Sequence, residues 1–571
     1  MRTSPELTSG ARLRGERCEF RVWAPRASKV SLRLVGRGDY PMRRRDNRTF
    51  TLEMNARAGD RYFYILDAGK PLPDPVSRLL PEGVHGPTEI VDADAFRWTD
   101  DRWHGLELRD YIIYELHAGT FSQEGTFDGV VERLEYLKSL GVSVIEIMPV
   151  AAFPGKRNWG YDGASAYAVQ ASYGGPNGLK RLVDAAHRAQ LGVMLDVVYN
   201  HLGPEGNYLA QFGPYFTPRH HTPWGDALNY DDENAEHVRR YFVENALYWV
   251  REYHMDGLRL DATQTIRDES PKHIVQEVAE NVHSLARELS RDVCVICETD
   301  ENDRQYLLPP PQGYGADAVW SDDFHHALHT LLTGESKGYY QDFGRGEQLA
   351  RALEHGFAFQ GEPFKFWGGK PRGTSVSGIP LERHVIATQN HDQVGNRALG
   401  ERLTPLAPRG AGKLAAALLM LAPHTPLLFM GQEYDEKAPF MFFSDFGDPA
   451  LQKAVSEGRR REFEDFAWNE LPDPQDAETF ERSKLGWKVD DSSMLEWYRR
   501  LIQLRRALVI PGERTCRASW RAGVLVMQVP RESPRVMVVC GFKGSIAAVE
   551  SGWVEAMSAR EDGYAVAVYT K

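Results

Sequence analysis

The sequence predicts an α/β protein, a (β/α)8 TIM barrel with an N-terminal β-sandwich and a small C-terminal β-domain. Eight short apolar segments from residue 110 onwards alternate with amphipathic segments, a pattern typical of parallel strands joined by helices. Polar side chains follow several of these strands, where a barrel forms its active site. An open, doubly wound sheet is the alternative fold. It would place a glycine-rich phosphate turn after the first strand, and the sequence has none there.

Composition and charge exclude several classes of partner. The 571 residues, 42% hydrophobic and 26% charged, suit a multidomain globular protein. With 68 basic and 80 acidic residues the net charge is −12, so neither nucleic acid nor an anionic membrane is expected as a partner. The apolar stretch 414–430 is interrupted by Pro423 and Pro426 and predicts no membrane span. The first residues lack the apolar core of a secretory signal, and five cysteines are few and odd in number, so we expect a cytoplasmic location.

Residues 1–92 predict the N-terminal β-sandwich, immunoglobulin-like and of the type found in glucan-binding modules. The segments CEFRVWAP, KVSLRLVG, TFTLEMN and DRYFYILDA read as strands, and Pro, Gly and Asp separate them without any helical period. Residues 93–109 are a linker. The run of arginines at 43–45 is interpreted as a solvated face.

Residues 110–485 are expected to form the catalytic barrel. Cys294 and Cys297 stand three apart on one predicted strand and would face opposite sides of it, so we interpret them as buried structural residues, not as a metal or redox pair. Residues 200–233, rich in Gly, Pro, Tyr and His, form an excursion after the third strand. The predicted strands lie in DYIIYELHAG, VSVIEIMPV, VMLDVVYNH, DGLRLDA, VCVICETD, ADAVWSDDFHH, HVIATQNHD and PLLFMGQE.

Helices are predicted between most of these strands. GTFDGVVERLEYLKSLG and GLKRLVDAAHRAQLG are amphipathic and end in glycine, and NAEHVRRYFVENALYWVREYHM and SPKHIVQEVAENVHSLARELS follow further along the chain. Residues 486–571 predict one more helix, SSMLEWYRRLIQLRRAL, and a C-terminal β-domain with strands VLVMQVP, RVMVVCGF and YAVAVYT.

Carboxylates gather with Arg and His at the predicted strand ends, which favours glycoside hydrolysis. That reaction needs one carboxylic acid to protonate the leaving oxygen and one carboxylate to attack or stabilise the oxocarbenium-like centre. Asp261 lies two residues after Arg259 on a strand, so both face the same way and the cation would keep the acid ionised. Glu298 follows the apolar run VCVIC, where desolvation would raise its pKa, as a general acid requires.

Four segments, DVVYNH, GLRLDA, the glutamate of ICETD, and TQNHD, resemble in order the signature segments of the α-amylase superfamily, glycoside hydrolase family 13. The resemblance implies that Asp261 is the nucleophile and Glu298 the acid/base. It implies that Asp392 is a third carboxylate that holds sugar hydroxyls at the transition state. It also implies a −1 subsite lined by Tyr161, His201, Arg259 and His391, with Tyr161 as stacking platform.

A more specific resemblance is to the branch of this family that releases trehalose. It rests on PVAAFPGKRNWGYDG, YGGPNGLKRLVDAAH, HLGPEGNYLAQFGPYFT, HTPWGDALNYD and NHDQVGNRALGERL, together with FRVWAP near the start. It implies retaining hydrolysis of the α-1,4-glucosidic bond adjacent to the terminal trehalose unit of malto-oligosyltrehalose, in trehalose biosynthesis. A metabolic partner that forms the terminal trehalose linkage is also implied. Gln432 departs from the pattern, since glutamate is expected there, and puts a peripheral contact in doubt.

The loops after the sixth and seventh strands are expected to bind the leaving side of the substrate. Asp196 is interpreted as a partner that holds Arg259 or Asn200, and His201 could instead be a core histidine. The further candidate substrate contacts are Leu260, Ala262, Thr263, Gln264, Asp322, Asp323, Phe324, His325, His326, Gln393, Val394, Gly395 and Asn396.

No cofactor and no metal site are predicted, and a monomer or homodimer is equally compatible with the sequence. Two alternative functions stay open. One is a glycogen branching or debranching enzyme, or another α-glucan-acting enzyme of the same superfamily, because specificity resides in loops and not in the fold. The other is a non-catalytic carbohydrate-binding protein, which the presence of all three carboxylates disfavours.

Overall fold

Eight parallel strands close a barrel in the described part of the chain. The structure is a computed structural model, and it describes residues 7–46, 48–463, 471–489, 493–544, 546, 549 and 551–571. Each barrel strand pairs with its successor, and the last pairs with the first, so the predicted barrel is confirmed and the open sheet was not the right alternative. The strands are Ile113–Leu116, Val144–Ile147, Gly192–Val197, Gly257–Leu260, Cys294–Cys297, Ala318–Trp320, His384–Ala387 and Thr425–Phe429.

Side chains of the barrel strands alternate between the barrel interior and the helix layer. Cys294 and Ile296 belong to an inner cluster made almost entirely of strand residues, whereas Cys297 belongs to the large core that the helices share. The two cysteines therefore lie on opposite sides of their strand, buried and free, as predicted. Because the side-chain period of a strand is two, Glu298 just beyond the strand faces the interior with Ile296.

The four helices predicted between barrel strands are present, and one of them is divided. The segment 125–141 was predicted as a single helix, but it forms two, Phe127–Val131 and Leu134–Leu140. The second is capped by Gly141 in a left-handed conformation (φ 100°). The helices of the described residues are Ala118–Phe121, Phe127–Val131, Leu134–Leu140, Gly175–Arg188, Leu209–Phe212, Ala235–Glu252, Ile274–Leu289, Asp322–Thr333, Gly346–His355, His391–Gly395, Leu403–Leu406, Arg409–Leu421, Pro449–Glu462, Ala477–Arg482 and Ser493–Leu504. Each of these helices is too short or too polar to span a bilayer.

Three two-stranded antiparallel sheets extend from the barrel within the described residues. One pairs Ala151–Ala152 with Ser165–Val169, after the second barrel strand. The other two are named the first and the second hairpin. The first hairpin, in the excursion after the third strand, pairs Phe216–Thr222 with Gly225–Leu228. A second hairpin, Glu362–Phe364 paired with Lys370–Arg372, lies between the sixth and seventh barrel strands. The sequence analysis did not anticipate this second hairpin, and it forms one wall of the cleft described below.

Strands before the barrel form two antiparallel sheets within the described residues, with one core that contains Phe20, Leu32 and Tyr64. The limits predicted for the domains stay a prediction, and residues 1–6 and 47 of the first lie outside the described residues. The strands are Gly10–Arg14, Arg17–Trp23, Arg43–Arg44 and Thr49–Asn55 in one sheet, and Val30–Leu34, Gly38–Pro41, Arg61–Leu66, Pro71–Leu72 and Thr88–Glu89 in the other.

The chain ends in an antiparallel sheet that packs on the barrel helix Arg409–Leu421. The predicted helix begins at Ser493, and residues 490–492, 545, 547–548 and 550 of this predicted domain lie outside the described part of the chain. The strands are Arg517–Arg521, Val524–Val529, Val536–Gly541, Val554–Glu561 and Tyr564–Thr570.

Candidate active site

Arg259 is the fully buried centre of the polar cluster at the carboxyl ends of the barrel strands. Its Nη1 lies 2.8 Å from Asp261 Oδ1 and 2.7 Å from Asp196 Oδ2, and its Nη2 lies 3.0 Å from Glu298 Oε2. The Trp320 ring covers the guanidinium, with 4.3 Å between the ring centroid and Cζ. One cation therefore orients three carboxyl groups at once.

Asp261 follows the fourth barrel strand and is held from two sides. Besides the bond from Arg259, the Asn200 side-chain amide donates to both Asp261 Oδ2 and the Asp261 carbonyl oxygen, each at 2.7 Å. The Asp261 amide donates to the Val197 carbonyl at 3.0 Å, which continues the barrel ladder to this residue. These bonds fix the direction of the carboxylate.

Glu298 is hydrogen-bonded by the turn that follows Asp261. The Ala262 amide donates to Glu298 Oε2 at 2.6 Å, and the Thr263 hydroxyl donates to the Glu298 carbonyl at 2.5 Å. Ala262 adopts a left-handed backbone (φ 39°), an uncommon conformation for a residue with a Cβ, in order to present that amide. Burial raises the pKa of Glu298 well above its usual range, and Arg259 only partly offsets this effect.

Tyr161, His391 and Asp196 form a hydrogen-bonded group beside Arg259. The Tyr161 hydroxyl donates to Asp196 Oδ2 at 2.6 Å and lies 2.8 Å from His391 Nε2, and the two rings stack with centroids 5.2 Å apart. His391 Nδ1 is bonded to Glu115. Although burial opposes it, Asp392 and Glu115 raise the pKa of His391 to about 9, so this imidazole is a cation at neutral pH.

Asp392 is the most accessible of the three predicted catalytic carboxylates, with 40% of its side chain exposed. Its Oδ2 lies 3.6 Å from His391 Nε2, and Asn396 donates to its Oδ1 at 3.2 Å. A carboxyl group that opens to the cleft in this way can accept hydrogen bonds from a ligand.

His201 lies at the other side of the same rim. Its Nε2 is 3.0 Å from the Tyr161 carbonyl oxygen, and its ring stacks at 4.2 Å on Trp224, the half-exposed tip of the first hairpin. Burial lowers the pKa of His201, so its ring is neutral near pH 7. Trp224 was not singled out from the sequence, although an exposed Trp in a Gly- and Pro-rich excursion is a recognisable signal.

A cleft of about 240 Å³ opens beside Glu298 and Asp392. One wall is aromatic and comes from Tyr339 and the second hairpin, and Phe366 at its tip is 49% exposed. Burial raises the pKa of Asp322 in this cleft to about 7. The lining residues are Glu298, Asp300, Trp320, Asp322, His326, Tyr339, Phe364, Phe366, Trp367, Arg372, Asn390, Asp392, Gln393 and Asn396.

The structure divides the predicted contacts after the sixth strand into two groups. The helix Asp322–Thr333 begins at this point, so Asp322 and His326, one turn apart, line the cleft while the residues between them turn inward. Asp323 is fully buried against Arg372, at 2.6 Å. Phe324 is core, and His325 is bonded to the Thr388 carbonyl and the Tyr340 hydroxyl. Placing Asp323, Phe324 and His325 against substrate was therefore wrong.

The same helical geometry applies after the seventh strand. Gln393 and Asn396 line the cleft, whereas Val394 is 1% exposed and belongs to the large core. A Cβ on Gly395 would lie 2.0 Å from Trp159 Cζ2, so this glycine makes room for a buried ring and offers no contact.

The predicted substrate contacts around the end of the fourth strand also differ in their surroundings. Leu260 lies in the large core, on the opposite side of its strand from Arg259, so it is not a substrate contact. Ala262 and Thr263 act through Glu298, as described above. Gln264 has a buried side-chain oxygen with no partner among the described residues.

Glu115, Arg372 and the aromatic wall were not predicted from the sequence. Glu115 stands inside an otherwise apolar strand, IYEL, which is a signal that the sequence carries. Arg372 donates to the Asp300 carbonyl at 2.7 Å and stacks 4.6 Å from the Phe364 ring, and nothing in the sequence indicates either contact.

Gln432, the departure noted in the sequence, lies after the eighth strand and is buried. Its amide donates to the Thr388 hydroxyl at 2.8 Å and the Tyr498 hydroxyl at 2.7 Å. It is therefore a structural link from the barrel to the helix Ser493–Leu504, and none of these partners is a catalytic carboxylate.

One group of side chains within the described residues has the spacing of a metal site. Ligand atoms of His220, Asp231 and Glu269 lie within 4.8 Å of one another. The Arg219 guanidinium is bonded to Glu269 and lies 3.9 Å from Asp231, so a protein cation already balances these carboxylates. We assign no metal to this group, and the absence of a metal requirement stays a prediction.

Comparison with known proteins adds to this geometry. Residues 93–213 match the family Alpha amylase, catalytic domain. The malto-oligosyltrehalose trehalohydrolase of Saccharolobus solfataricus is 49% identical over 88% of this chain and 87% of its own length. The enzyme of that name from Rhizobium sp. (strain M-11) is 46% identical over 86% of this chain and 84% of its own length.

The chain belongs to the malto-oligosyltrehalose trehalohydrolase family. A crystal structure titled as a putative α-amylase from Salmonella typhimurium shares 39% identity and superposes with a TM-score of 0.91, covering 99% of this chain and 100% of that one. The two trehalohydrolase relatives thus match 86–88% of the chain, and the solved structure matches 99% of it.

Proposed function

We propose that this chain hydrolyses the α-1,4-glucosidic bond adjacent to the terminal trehalose unit of malto-oligosyltrehalose, releasing trehalose and a malto-oligosaccharide. The observation that carries the proposal is one cation, Arg259, aligning Asp261 and Glu298 beside a cleft of mixed aromatic and polar character. Two relatives named malto-oligosyltrehalose trehalohydrolase, matched over 84–87% of their lengths, support this substrate.

Asp261 is assigned as the nucleophile. Its bonds from Arg259 and Asn200 fix the direction of the carboxylate, which a nucleophile needs. Attack on the anomeric carbon forms a glycosyl-enzyme ester, and water later hydrolyses this ester from the same face.

Glu298 is assigned as the acid and then the base. Its raised pKa keeps the carboxyl protonated in the free enzyme, so it can protonate the leaving glycosidic oxygen. After the leaving sugar departs, the Glu298 carboxylate takes a proton from the incoming water. Because Asp261 and Glu298 bind the two Nη atoms of one guanidinium, they lie side by side, which supports the narrow spacing, about 5–5.5 Å, of retaining enzymes.

Asp392 and His391 are assigned to hold hydroxyls of the reacting sugar. An exposed carboxylate beside an imidazolium offers both an acceptor and a donor in charge-assisted form. Tyr161 is assigned as the platform below the ring, and His201 with Trp224 as the edge of the subsite on the glycone side.

The leaving trehalose is assigned to the cleft beside Glu298. The rings of Tyr339, Phe366 and Trp367 offer apolar faces for sugar stacking, while Asp322, Gln393 and Asn396 offer hydrogen bonds from the opposite side. A 1,1-linked disaccharide turns its second ring back on the first, so a cleft with walls of different character discriminates it from linear maltose. A site built to hydrogen-bond a substrate group rejects ligands lacking that group by about 10⁴-fold, far more than apolar contacts achieve.

Product analysis tests the proposal. Purified enzyme is incubated with malto-oligosyltrehalose and, separately, with a maltodextrin of matched length, and the products are separated by chromatography. We expect trehalose as the main small product and weaker action on maltodextrin. Equal kcat/KM on the two substrates, or formation of α-1,6 branches, would assign the chain to another α-glucan-acting enzyme of the superfamily. No action on either would favour a carbohydrate-binding protein.

The cellular setting is also part of the proposal. The structure describes all five cysteines as buried and free, which supports a reducing, cytoplasmic compartment. A second enzyme that forms the terminal trehalose linkage would supply the substrate there.

A further inference from the structure

Glu146 is a buried acid in the second barrel strand, and the reaction described above makes no use of it. Only 1% of this residue is exposed, and it stands in register with Glu115 on the neighbouring strand. Glu115 accepts bonds from the amide and the ring of His391. By contrast, both carboxyl oxygens of Glu146 have no hydrogen-bond partner among the described residues.

An ionised carboxylate in this position would be strongly unfavourable. A buried charge is tolerated when it is paired and hydrogen-bonded, and otherwise the group becomes neutral. Burial and the nearby Glu115 raise the pKa of Glu146 well above its usual range, and Asp196 acts in the same direction. Arg259 and His391 oppose this shift without cancelling it.

Three other side chains of the barrel interior carry buried polar atoms that lack a partner in the described residues. They are Asp196 Oδ1, Arg259 Nε and Nη2, and Trp320 Nε1, where Nη2 lies 3.0 Å from Glu298 as an ion pair without a hydrogen bond. Buried polar atoms are nearly always hydrogen-bonded, and ordered water, with about three bonds each, commonly completes such sets. The Asp196 oxygen can only accept and the nitrogens can only donate. A protonated Glu146 carboxyl does both, so it can share water with Asp196 and Arg259, whose charges act on it.

We propose that Glu146 carries a proton in the working enzyme and, through ordered water, is a positioning residue for Arg259. Arg259 touches Asp261 and Glu298, so the effect of Glu146 reaches the reaction through the direction of that guanidinium. The effect on catalysis rests on the proposed function, whereas the protonation of Glu146 does not.

Infrared spectroscopy tests the protonation directly. At neutral pH, protonated carboxyl groups give a C=O stretching band separate from those of carboxylates and amides. The folded Glu146→Gln variant should lose part of this band, while Glu135→Gln, an exposed glutamate on the preceding helix, should leave it unchanged. An unchanged band in Glu146→Gln would overturn the proposal, whatever substrate the enzyme uses.

Kinetics test the positioning. Glu146→Gln keeps a neutral donor and acceptor, so kcat should stay within about threefold of wild type. Glu146→Leu should lower kcat roughly 10- to 100-fold, the range known for removal of partners that orient metal-ligating side chains. Rescue of kcat by Gln, in variants of matched melting temperature, would separate positioning from a purely structural role. A folded Glu146→Leu enzyme with wild-type kcat would overturn the positioning role.

Discussion

Glu298→Gln separates proton donation from every other property of the site. The amide has nearly the same shape as the acid, and its carbonyl oxygen can still accept the 2.6 Å bond from Ala262, so the turn that holds it persists. What is lost is the proton for the leaving oxygen. General acid catalysis contributes roughly 10²–10⁴-fold. This corresponds to about 2.7–5.4 kcal/mol of transition-state stabilisation.

The assay compares two leaving groups. On malto-oligosyltrehalose the leaving sugar alkoxide needs protonation, so kcat/KM should fall by the full factor. On an aryl α-glucoside with a nitrophenolate leaving group no proton is needed to break the bond, and the fall should be less than about tenfold. Asp261→Asn is the matched control and should fail on both substrates, since each requires the nucleophile. An equal loss on both substrates for Glu298→Gln would refute its assignment as the acid.

Three further predictions concern stereochemistry, packing and pH. Early proton NMR of the reaction should show the α anomer at the new reducing end, because Asp261 forms a covalent intermediate; an initial β anomer would contradict it. Gly395→Ala should lower the free energy of unfolding by about 1–3 kcal/mol, since its Cβ would overlap buried Trp159; denaturation curves that coincide with wild type would contradict this. Burial lowers the pKa of His187, but Asp256 and Asp100 outweigh it and raise that pKa above its usual value. The ion pairs of His187 therefore stabilise the fold fully below about pH 6.5, and this stabilisation is lost as pH rises through the folded-state pKa. The melting temperature of His187→Gln should therefore fall less than that of wild type on the alkaline side, and parallel curves would argue against this ion pair.

The barrel could be predicted from the sequence because its signals are local. Each strand is a short apolar run followed by a polar residue, and each helix has its own periodicity, so the order of elements emerges without any knowledge of tertiary contacts. Arg259 and Asp261 could be placed on one face for the same reason, since they are two residues apart on a strand. The break in the helix at 125–141 was missed because amphipathic periodicity continues across it.

The substrate contacts were harder to predict because a helix begins directly after the sixth and the seventh strands. A continuous loop would expose consecutive residues, and the prediction treated 322–326 in that way. A helix exposes only those on one face, which is why Asp322 and His326 line the cleft and Asp323 does not. The aromatic wall was missed for a different reason. It comes from a hairpin about 40 residues downstream of the sixth strand, and no periodicity relates such distant segments.

The ion pair between Asp323 and Arg372 has a consequence for engineering the leaving-sugar specificity of this chain. Asp323 Oδ2 also accepts from the amides of Ala358 and Phe359, at 2.8 and 3.0 Å, so one buried carboxylate fastens both ends of the segment that carries the second hairpin. Asp261 and Glu298 are held separately, by Arg259. We therefore expect that the side chains between residues 362 and 370 can be replaced together without disturbing Asp261 and Glu298. Engineering a different leaving sugar should begin with this exchange and keep Arg372 as its anchor.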